Sequence, residues 1–578
     1  MIELLLVFAL AIGLGWPLGH YLARVMRGDP TPLDRVFGPI ERGVYRLLGI
    51  DARRGMSWKG YASAFLLSNL ALGVVVWILF MTQAWLPLNP DGAPNMSWDL
   101  ALHTMVSFLT NTNQQHYSGQ AQLSYLSQMV GIAGLQVITP MMGLAIVVAT
   151  LRGLFGGREQ MAGGTAATPT DEARGERDVG NYWVDVLRAT LRFFLPLALL
   201  WSVLLASQGV PATLAEGPTY TPLDQSVEMR SQHVPLGPVA PMVAVKQLGT
   251  NGGGWYGPNS AVPLENPTPL SNFLETLAII LIPVAITFMV GPLTGRRKLT
   301  ALVFGCMALM SVVSTGAAVW SEAYSSTAQD AALMEGKETR FGASNSALWA
   351  TLTTQTSNGS VDSMHDSLAP LTGAVTITNM LVNAVWGGVG CGLQQFLVYL
   401  LLAAFLSGLM TGRTPELFGR KIEAGEVRLL ALLILLQPLI VIGFTALTVA
   451  LPAFTGNSNP GFHGISQVLY EYASAFANNG SGFEGLGDGT PWWNLTCVVA
   501  LFFGRYAALI VPLWIAGLMA KKRVAPTSSG TLDVETPTFA LTLVSVVVIL
   551  TILQFMPALV LGPVGEHLAL TTAGAAIP

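Results

Sequence analysis

Long apolar stretches alternate with polar segments along the whole chain, and this pattern predicts ten membrane-spanning helices. A helix needs about 20 apolar residues to cross the hydrocarbon core of a bilayer. The stretches of this kind are residues 2–26, 61–87, 127–151, 185–207, 271–293, 299–320, 380–411, 429–451, 493–520 and 537–560. The first has no basic leader, so we expect a retained span rather than a cleaved signal peptide.

Four shorter apolar stretches are predicted to be half-helices that enter the membrane and turn back. A helix of about 12 residues rises about 18 Å, roughly half the hydrocarbon core. The four stretches are residues 98–109, 239–249, 344–356 and 464–477. Each runs into one of four polar segments, called polar segments 1 to 4 below: Thr110-Asn111-Thr112-Asn113, Thr250-Asn251-Gly252, Ser357-Asn358-Gly359 and Asn478-Asn479-Gly480.

The order span, half-helix, polar segment, span occurs four times, which indicates a repeat architecture. We therefore predict an all-α polytopic membrane protein with ten transmembrane helices and four re-entrant pore half-helices. The predicted units are an N-terminal span and cytoplasmic loop (1–60), four pore repeats (61–152, 185–295, 299–412 and 428–523) and a C-terminal span (536–578).

Basic residues are distributed unequally between the two sides of this predicted bundle. If the first loop is cytoplasmic, the inner segments hold 24 of the 29 lysines and arginines. Loops rich in lysine and arginine remain on the cytoplasmic side. This asymmetry predicts that both termini lie outside.

Composition agrees with a membrane protein and excludes several other classes. The chain is 52% hydrophobic and 11% charged, with a mean hydropathy of +0.53, whereas soluble domains carry about 25% charged residues. The net charge of -4 says little, because charge in membrane proteins is informative by location, and we expect no nucleic-acid partner. Cys306, Cys391 and Cys497 are widely spaced in apolar stretches, so we expect buried free thiols. No phosphate-binding loop and no Asp-Lys-Thr-Gly phosphorylation motif occurs, so ATP must be used by another chain, if at all.

The four polar segments have the composition of a site for a monovalent cation. Stacked backbone carbonyls replace the hydration shell of such an ion, and glycine permits the backbone angles that this requires. Gly252, Gly359 and Gly480 fit this role, with Asn113 in the first copy, since asparagine is the next most tolerant residue. Ends of helices add partial negative charge. The segments contain no Asp or Glu, which favours potassium over calcium.

One such segment by itself is an ordinary polar turn. Four in register after four half-helices are difficult to explain in this way, because unpaired backbone in lipid is costly.

Several stretches together resemble the potassium-binding subunit of the bacterial Kdp potassium-transporting ATPase, in a superfamily of potassium transporters with four pore-loop repeats. The matching stretches are residues 110–119, 249–254, 259–260 with 265–267, 364–367, 412–416 and 477–480. They span all four repeats, so the resemblance covers essentially the whole chain.

The resemblance implies a non-hydrolytic subunit of an ATP-driven uptake complex in the bacterial inner membrane. The family subunit binds external K+ in a selectivity filter and passes it through an intramembrane tunnel to a P-type ATPase subunit. A small single-span subunit and a third accessory subunit complete that complex, and membrane lipid surrounds it. The filter residues implied are Asn111, Thr112, Asn113, Gln115, Thr250, Asn251, Gly252, Ser357, Asn358, Gly359, Asn478, Asn479 and Gly480.

A gate is implied below the filter. The glycines Gly387, Gly388 and Gly390 interrupt the span predicted at 380–411, and by resemblance they form the gate region of the family. Arg505 lies inside a span, where an unpaired charge costs several kcal/mol. It either holds a gate loop, repels the ion towards the tunnel, or bonds a helix end structurally. Asn383 is neutral where an acid is known in the family, so a partnership with Arg505 is doubtful.

Charged residues near the outer mouth have two interpretations. The carboxylates Asp362, Asp366, Glu265 and Glu484 either concentrate cations at the mouth or form a solvated rim. The histidines His103, His116, His365 and His463 lack metal-ligand spacing, so we expect caps and loop hydrogen bonds. The glycine pattern at 252–257 matches a dinucleotide fingerprint but has no strand before it.

Two alternatives stay open at this stage. The first is a stand-alone potassium uptake channel subunit of the same superfamily, which would need no ATPase. The second is a membrane scaffold or enzyme whose polar loops are structural. The first and last spans, which lie outside the four repeats, favour the pump subunit.

Overall fold

The computed structural model describes residues 2–156, 178–224, 229–324, 334–526 and 531–574, and most of these residues are helical. Within them, ten helices are long and apolar enough to cross a membrane, as predicted. These are α1 (Ile2–Arg27), α3 (Trp58–Trp85), α6 (Ser127–Phe155), α7 (Tyr182–Ser207), α9 (Pro269–Thr294), α10 (Arg297–Tyr324), α13 (Cys391–Met410), α14 (Ala424–Val449), α17 (Pro491–Ala520) and α18 (Pro537–Thr572). The shorter helices are α2 (Asp34–Leu47), α4 (Trp98–Leu109), α5 (Gly119–Gln122), α8 (Val239–Leu248), α11 (Ala343–Gln355), α12 (Pro370–Val382), α15 (Pro452–Thr455) and α16 (Gly461–Ala477).

The helices α4, α8, α11 and α16 occupy the places of the four predicted half-helices and are called half-helices 1 to 4 below. Each ends within one residue of its predicted end. Half-helix 4 begins earlier than expected, at Gly461. The last turn of every half-helix is buried. Since the pattern of short apolar helix and polar segment recurs at all four places, the predicted order of elements is confirmed.

The span predicted at residues 380–411 is wrong in its bounds. Its first part is α12, which begins at Pro370 and ends at Val382; the next residue, Asn383, has a φ of 48°. Residues 383–390 are not helical, and α13 follows from Cys391. The start of α12 was not predicted, because Thr372 and Thr376 make this part of the sequence less apolar than a span. Their hydroxyls form hydrogen bonds inside the protein, so both residues can be buried. The glycine-rich interruption predicted within this span is confirmed.

The spans differ in how deeply they are buried within the protein. In an apolar 18-residue stretch of each span, 83% of the residues are buried in α9 and 78% in α6, but only 22% in α1 and in α18. The first helix lies against α9, where a Cβ at Gly19 would come within 2.4 Å of the Ala285 carbonyl oxygen. The central helices α6 and α9 therefore support the half-helices, and the first and last spans lie at the periphery.

Two small hairpins complete the described structure. The strands β1 (Thr219–Tyr220) and β2 (Gln232–His233) pair antiparallel, as do β3 (Glu416–Leu417) and β4 (Arg420–Lys421). Residues 157–177, 225–228 and 325–333, which belong to polar loops between the spans, lie outside the described residues. The bundle is thus helical, with short hairpins only at its surface loops.

Candidate functional site

The four half-helices end near one another, and polar segments 1 to 4 form a closed ring in chain order. A side-chain amide joins each neighbouring pair. These bonds run from Asn113 Nδ2 to the Asn251 carbonyl at 2.9 Å, from Asn358 Nδ2 to the Lys246 carbonyl at 3.2 Å, from Asn479 Nδ2 to the Thr353 carbonyl at 2.8 Å, and from Asn478 Nδ2 to the Thr112 hydroxyl at 3.0 Å. The structure therefore brings together the four segments that the sequence selected.

The backbone of all four segments follows the same unusual course. The last three residues of each segment are called its triplet below. The first and third residues of each triplet have φ in the left-handed region, and the residue between them does not. The first residues are Asn111 at 63°, Thr250 at 49°, Ser357 at 50° and Asn478 at 55°, and the third are Asn113 at 57°, Gly252 at 80°, Gly359 at 89° and Gly480 at 103°. Such angles are uncommon for residues other than glycine. Alternation in the sign of φ turns consecutive carbonyls towards a common side, which is the arrangement that a carbonyl cage needs.

Three of the four third positions have no room for a side chain. A Cβ there would lie against the carbonyl oxygen of the middle residue in the next segment. The distances are 2.0 Å from Gly252 to Asn358, 2.0 Å from Gly359 to Asn479, and 2.1 Å from Gly480 to Thr112. Close backbone contact between neighbouring segments therefore requires glycine as well as a positive φ.

Each triplet is anchored to its half-helix by the same backbone hydrogen bond. The N–H of the middle residue donates to the carbonyl five residues earlier. The pairs are Thr112 to Ser107 at 3.0 Å, Asn251 to Lys246 at 2.9 Å, Asn358 to Thr353 at 2.9 Å and Asn479 to Ser474 at 2.9 Å. The C-terminal ends of the half-helices, which carry partial negative charge, therefore lie directly at the ring.

The first segment differs from the others as the sequence predicts. Asn113 takes the place of glycine with a positive φ. Gln115 bridges to the next repeat, since its Nε2 donates to the Gly254 carbonyl at 3.1 Å and its Oε1 accepts from the Gly254 N–H at 2.9 Å. An asymmetric first repeat is thus built into the ring.

A cavity of about 480 Å³ opens onto one face of the ring. Its wall includes the third residue of all four segments and Gln115. Loop residues that follow segment 4, among them Glu484 and Asp488, complete it. The cavity therefore opens directly onto Asn113, Gly252, Gly359 and Gly480.

The carboxylates expected around the mouth do not form a solvated rim. Asp362 and Glu265 are fully buried. Burial raises the pKa of Asp362 well above its usual range, which favours its neutral form. Glu265 forms an ion pair with Lys246. Burial also raises the pKa of Glu484 to about 8. Glu484 lines the cavity, and the Asp366 N–H donates to Glu484 Oε2 at 3.1 Å; both residues are half-buried.

The four histidines at the mouth make local contacts of several kinds. The rings of His103 and His116 stack at 3.8 Å, and His116 Nε2 lies 3.4 Å from Glu471 Oε1. His365 Nδ1 lies 2.9 Å from the hydroxyl of Tyr470.

Ligand atoms of His116, Glu471 and Cys497 lie within 4.8 Å of one another, a proximity that spacing in the sequence did not show. His116 Nδ1 is already 2.8 Å from Asn494 Oδ1, and its Nε2 faces the Glu471 carboxylate. The imidazole of His116 thus lies between the Asn494 amide and the Glu471 carboxylate.

His463 links three parts of the outer face. Its Nε2 lies 2.8 Å from Asp366 Oδ1, and its Nδ1 lies 2.9 Å from Glu566 Oε1. Burial lowers the pKa of His463, but the hydrogen bonds to the two carboxylates outweigh it and raise the pKa to about 9. The imidazolium therefore connects half-helix 4 to the loop after segment 3 and to α18.

The interrupted span places its glycines against the ring. Gly387 donates its N–H to the Gln355 carbonyl at 2.7 Å, at the end of half-helix 3. A Cβ at Gly388 would lie 3.4 Å from Cβ of Ser357, and the Val389 N–H donates to the Thr250 hydroxyl at 3.0 Å. Residues 383–390 thus contact the first positions of segments 2 and 3, on the side of the ring away from the outer cavity.

Arg505 lies in a π-helical turn of α17 and is only 2% exposed. Its Nη1 donates to Cys391 Sγ at 2.5 Å and its Nη2 to the Thr139 carbonyl at 3.1 Å. Gly390 packs against the backbone of Gly143, beside the same guanidinium. Asn383 instead contacts Ser357 at 2.9 Å. Arg505 therefore holds the start of α13, just after the interruption.

Sequence reasoning missed one charged residue behind the ring. Lys246 lies within the stretch predicted as the second half-helix, and it is fully buried in the last turn of that helix. Its ammonium contacts Asn259, Ser260 and Glu265. The spacing of Lys246 and Glu265 around an apparently neutral segment is the only sequence signal that could have indicated this pair.

Comparison with known proteins gives a consistent result. Residues 5–568 match the family model described as potassium-transporting ATPase A subunit. The chain is 45% identical over 565 residues to the potassium-transporting ATPase potassium-binding subunit of Gloeobacter violaceus, with 95% of each chain covered. It is 43% identical over 576 residues to the subunit of that name from Pseudomonas putida, with 98% of each chain covered.

A solved structure is also similar. The potassium transporter TrkH from Vibrio parahaemolyticus aligns with a TM-score of 0.49 and 15% identity, covering 78% of this chain and 84% of the other.

Proposed function

The chain belongs to the potassium-transporting ATPase A subunit family, and on this premise we propose that the ring of polar segments 1 to 4 is the selectivity filter through which it binds K+. It is a potassium-binding subunit of a potassium-transporting ATPase rather than the subunit that hydrolyses ATP. The filter residues are those selected from the sequence, with Gln115 beside the first segment.

The repeated alternation of φ in the four segments is the observation that carries this proposal. Eight residues, two in each segment, have left-handed angles at equivalent places. Left-handed angles at residues such as Thr250 and Ser357 cost roughly 1–2 kcal/mol each. Strain of this kind is maintained when the surrounding structure requires it, and it clusters at binding sites.

The chemistry of the ring suits a monovalent cation. Every residue of the four triplets is neutral, so the ion is bound by oxygen dipoles. Of the buried carboxylates near the ring, Asp362 has a pKa raised by burial and Glu265 is paired with Lys246. Divalent sites in proteins recruit ionised carboxylates as ligands, and the ring provides none.

The ion leaves the filter sideways in our proposal, through a tunnel towards the ATPase subunit. A chain of polar groups supports this direction, because Asn379 Nδ2 donates to the Thr354 hydroxyl at 3.1 Å and the Ser314 hydroxyl donates to Asn379 Oδ1 at 2.6 Å. Ser314 and Asn379 also line an apolar groove of about 570 Å³ between α10, α12 and α18. The groove is the surface that we assign to the tunnel exit.

Direct passage to the cytoplasm is blocked by the gate in this scheme. Gly387, Gly388 and Gly390 hold residues 383–390 beneath segments 2 and 3, and Arg505 fixes the start of the helix that follows. The positive charge of Arg505 opposes a cation that moves straight down. A cation in the filter therefore has a lateral route of lower energy.

The partners of this chain and its orientation in the membrane are further parts of the proposal. We propose a P-type ATPase subunit, a small single-span subunit and a third accessory subunit as partners in the inner membrane. Both termini lie outside, as the 24 inner basic residues indicate. The units 61–152, 185–295, 299–412 and 428–523 are four pore repeats, flanked by 1–60 and 536–578.

Growth at low external K+ tests the proposal. The full complex carrying Gly359→Asp in this chain is expressed in a strain without other potassium uptake. We expect no growth at micromolar K+, because the side chain would meet the Asn479 carbonyl at 2.0 Å. Gly425→Asp is the matched control, since Gly425 is exposed with open space around its Cβ. Normal growth of the Gly359→Asp strain would refute the filter assignment.

Purification decides between the pump and the stand-alone channel. The pump subunit is expected to co-purify with a P-type ATPase. Co-purification with a cytoplasmic nucleotide-binding ring instead would support the channel. The family match already favours the pump.

A further inference from the structure

The last turn of half-helix 2 carries a buried lysine at the place where the other half-helices carry hydroxyl groups. This is the residue whose carbonyl accepts the N–H of the middle filter residue. The four equivalents are Ser107, Lys246, Thr353 and Ser474. The second repeat is therefore the only one of the four that places a formal charge directly behind its polar segment.

The hydroxyls of repeats 3 and 4 hold the third filter residue directly. Thr353 Oγ1 accepts the Gly359 N–H at 2.9 Å, and Ser474 Oγ accepts the Gly480 N–H at 2.9 Å. An ammonium cannot accept a hydrogen bond. In the second repeat the Gly252 N–H donates instead to the Lys246 carbonyl at 3.2 Å, and a side chain holds the Gly252 carbonyl.

Lys246 acts on Gly252 through Asn259. The lysine Nζ donates to Asn259 Oδ1 at 2.6 Å, and Asn259 Nδ2 donates to the Gly252 carbonyl at 2.5 Å. Since the ammonium only donates, it determines which end of the Asn259 amide faces it. The other end, an N–H, is then directed at the filter.

The lysine itself is fully coordinated in its pocket. Its two further contacts are the Ser260 hydroxyl at 2.8 Å and the Glu265 carboxylate. Three partners match the three donors of an ammonium. The second oxygen of Glu265 accepts the Tyr256 N–H at 2.9 Å, so the ion pair also fixes the loop that leaves segment 2.

From these contacts we propose that Lys246 and Asn259 are positioning residues that hold Gly252 in the outer ring of the filter and thereby set the preference of the filter for K+ over Na+. The outer ring consists of the third residues of the four triplets, Asn113, Gly252, Gly359 and Gly480. The inference rests on the proposed filter. A cage selects between ions through the number and placement of its oxygens. A fixed Gly252 keeps the outer ring from contracting around the smaller Na+.

Asn259→Asp is the sharpest perturbation. Aspartate has the same size, tolerates the φ of 55° at this position, and still accepts from Lys246, but it cannot donate to Gly252 when ionised. A second variant, Lys246→Met with Glu265→Gln, removes both members of the ion pair together, while the nearby Glu275 carboxylate keeps its hydrogen bonds from Ser260 and Gln247. Ser260→Ala is the control, because it removes one contact of Lys246 without touching Gly252.

The assay is binding of K+ in competition with Na+ to the purified complex, with thermal unfolding recorded for each protein. For both test variants we expect the K+ to Na+ affinity ratio to fall about tenfold, the cost of one lost buried hydrogen bond. The ratio for Ser260→Ala should stay within about threefold of wild type, since its contact lies away from Gly252.

The outcomes separate the two proposals. An unchanged ratio in the folded Asn259→Asp and double variants overturns the role of Lys246 while the filter stands. Failure of the wild-type complex to bind K+ overturns the filter itself. Equal loss in the Ser260→Ala control shows a structural effect only and also overturns the positioning role.

Discussion

Replacement of Gly359 by alanine perturbs the ring by a single methyl group. Gly359 has a φ of 89°, and alanine at such an angle costs about 1–2 kcal/mol. The new Cβ would also lie 2.0 Å from the Asn479 carbonyl oxygen, where contacts of less than 3.0 Å essentially never occur. The backbone of segment 4 must then move by about 1 Å to relieve the overlap.

These magnitudes set the expected loss of affinity. About 1.4 kcal/mol corresponds to a tenfold change in a dissociation constant. The cost of the left-handed backbone angle at alanine therefore predicts a K+ dissociation constant that is raised about tenfold. Displacement of a cage oxygen adds to this. Isothermal titration of the purified complex with K+ measures the change.

The matched control is Gly316→Ala. Gly316 lies in α10, has no atoms near its Cβ and has no left-handed backbone angle, so its affinity should equal that of wild type. The reasoning is refuted if Gly359→Ala binds K+ as tightly as Gly316→Ala while both proteins remain folded.

Three further predictions follow from the site. Arg505→Ala should abolish ATP-driven uptake of K+ into vesicles but leave the K+ dissociation constant within about threefold, because the residue lies away from the ring; a parallel loss of binding would contradict the gate role. Raising the pH from 7 to 8.5 should lower the apparent dissociation constant for K+ in wild type but not in Glu484→Gln. Glu484 has a pKa of about 8, so its carboxyl loses a proton in this range and adds negative charge to the cavity wall. An equal response in the variant would show that Glu484 does not attract K+ to the cavity. His463 has a pKa raised to about 9 in the folded protein, so its protonation stabilises the fold. This stabilisation is complete below the unfolded pKa of about 6.5 and is lost as the pH rises through 9. The melting temperature should therefore fall between pH 7 and 10, and His463→Gln should show a smaller fall.

The ring could be predicted because its requirements are written locally in the sequence. Glycine or asparagine at the third position of each segment is needed for a positive φ. Short apolar stretches before each segment have the length of a half-helix. These signals need no knowledge of partners, so the half-helices and the members of the ring appear where predicted.

Features that depend on contacts between repeats could not be predicted in this way. The start of α12 was missed because its buried threonines find partners that are distant in sequence, such as Ser321 for Thr372. Asp362 and Glu265 looked like solvated residues because charged side chains are mostly exposed. Their burial is decided by the ion pair with Lys246 and by packing around the loop.

Location of the bound ion is the most direct test of the filter. Anomalous scattering of K+, recorded at long wavelength from crystals of the complex, identifies the ion independently of the protein. Our account requires a peak on the axis bounded by Asn113, Gly252, Gly359 and Gly480 or by the carbonyls directly beneath them. An ordered K+ elsewhere in the chain with no peak inside this ring would contradict it.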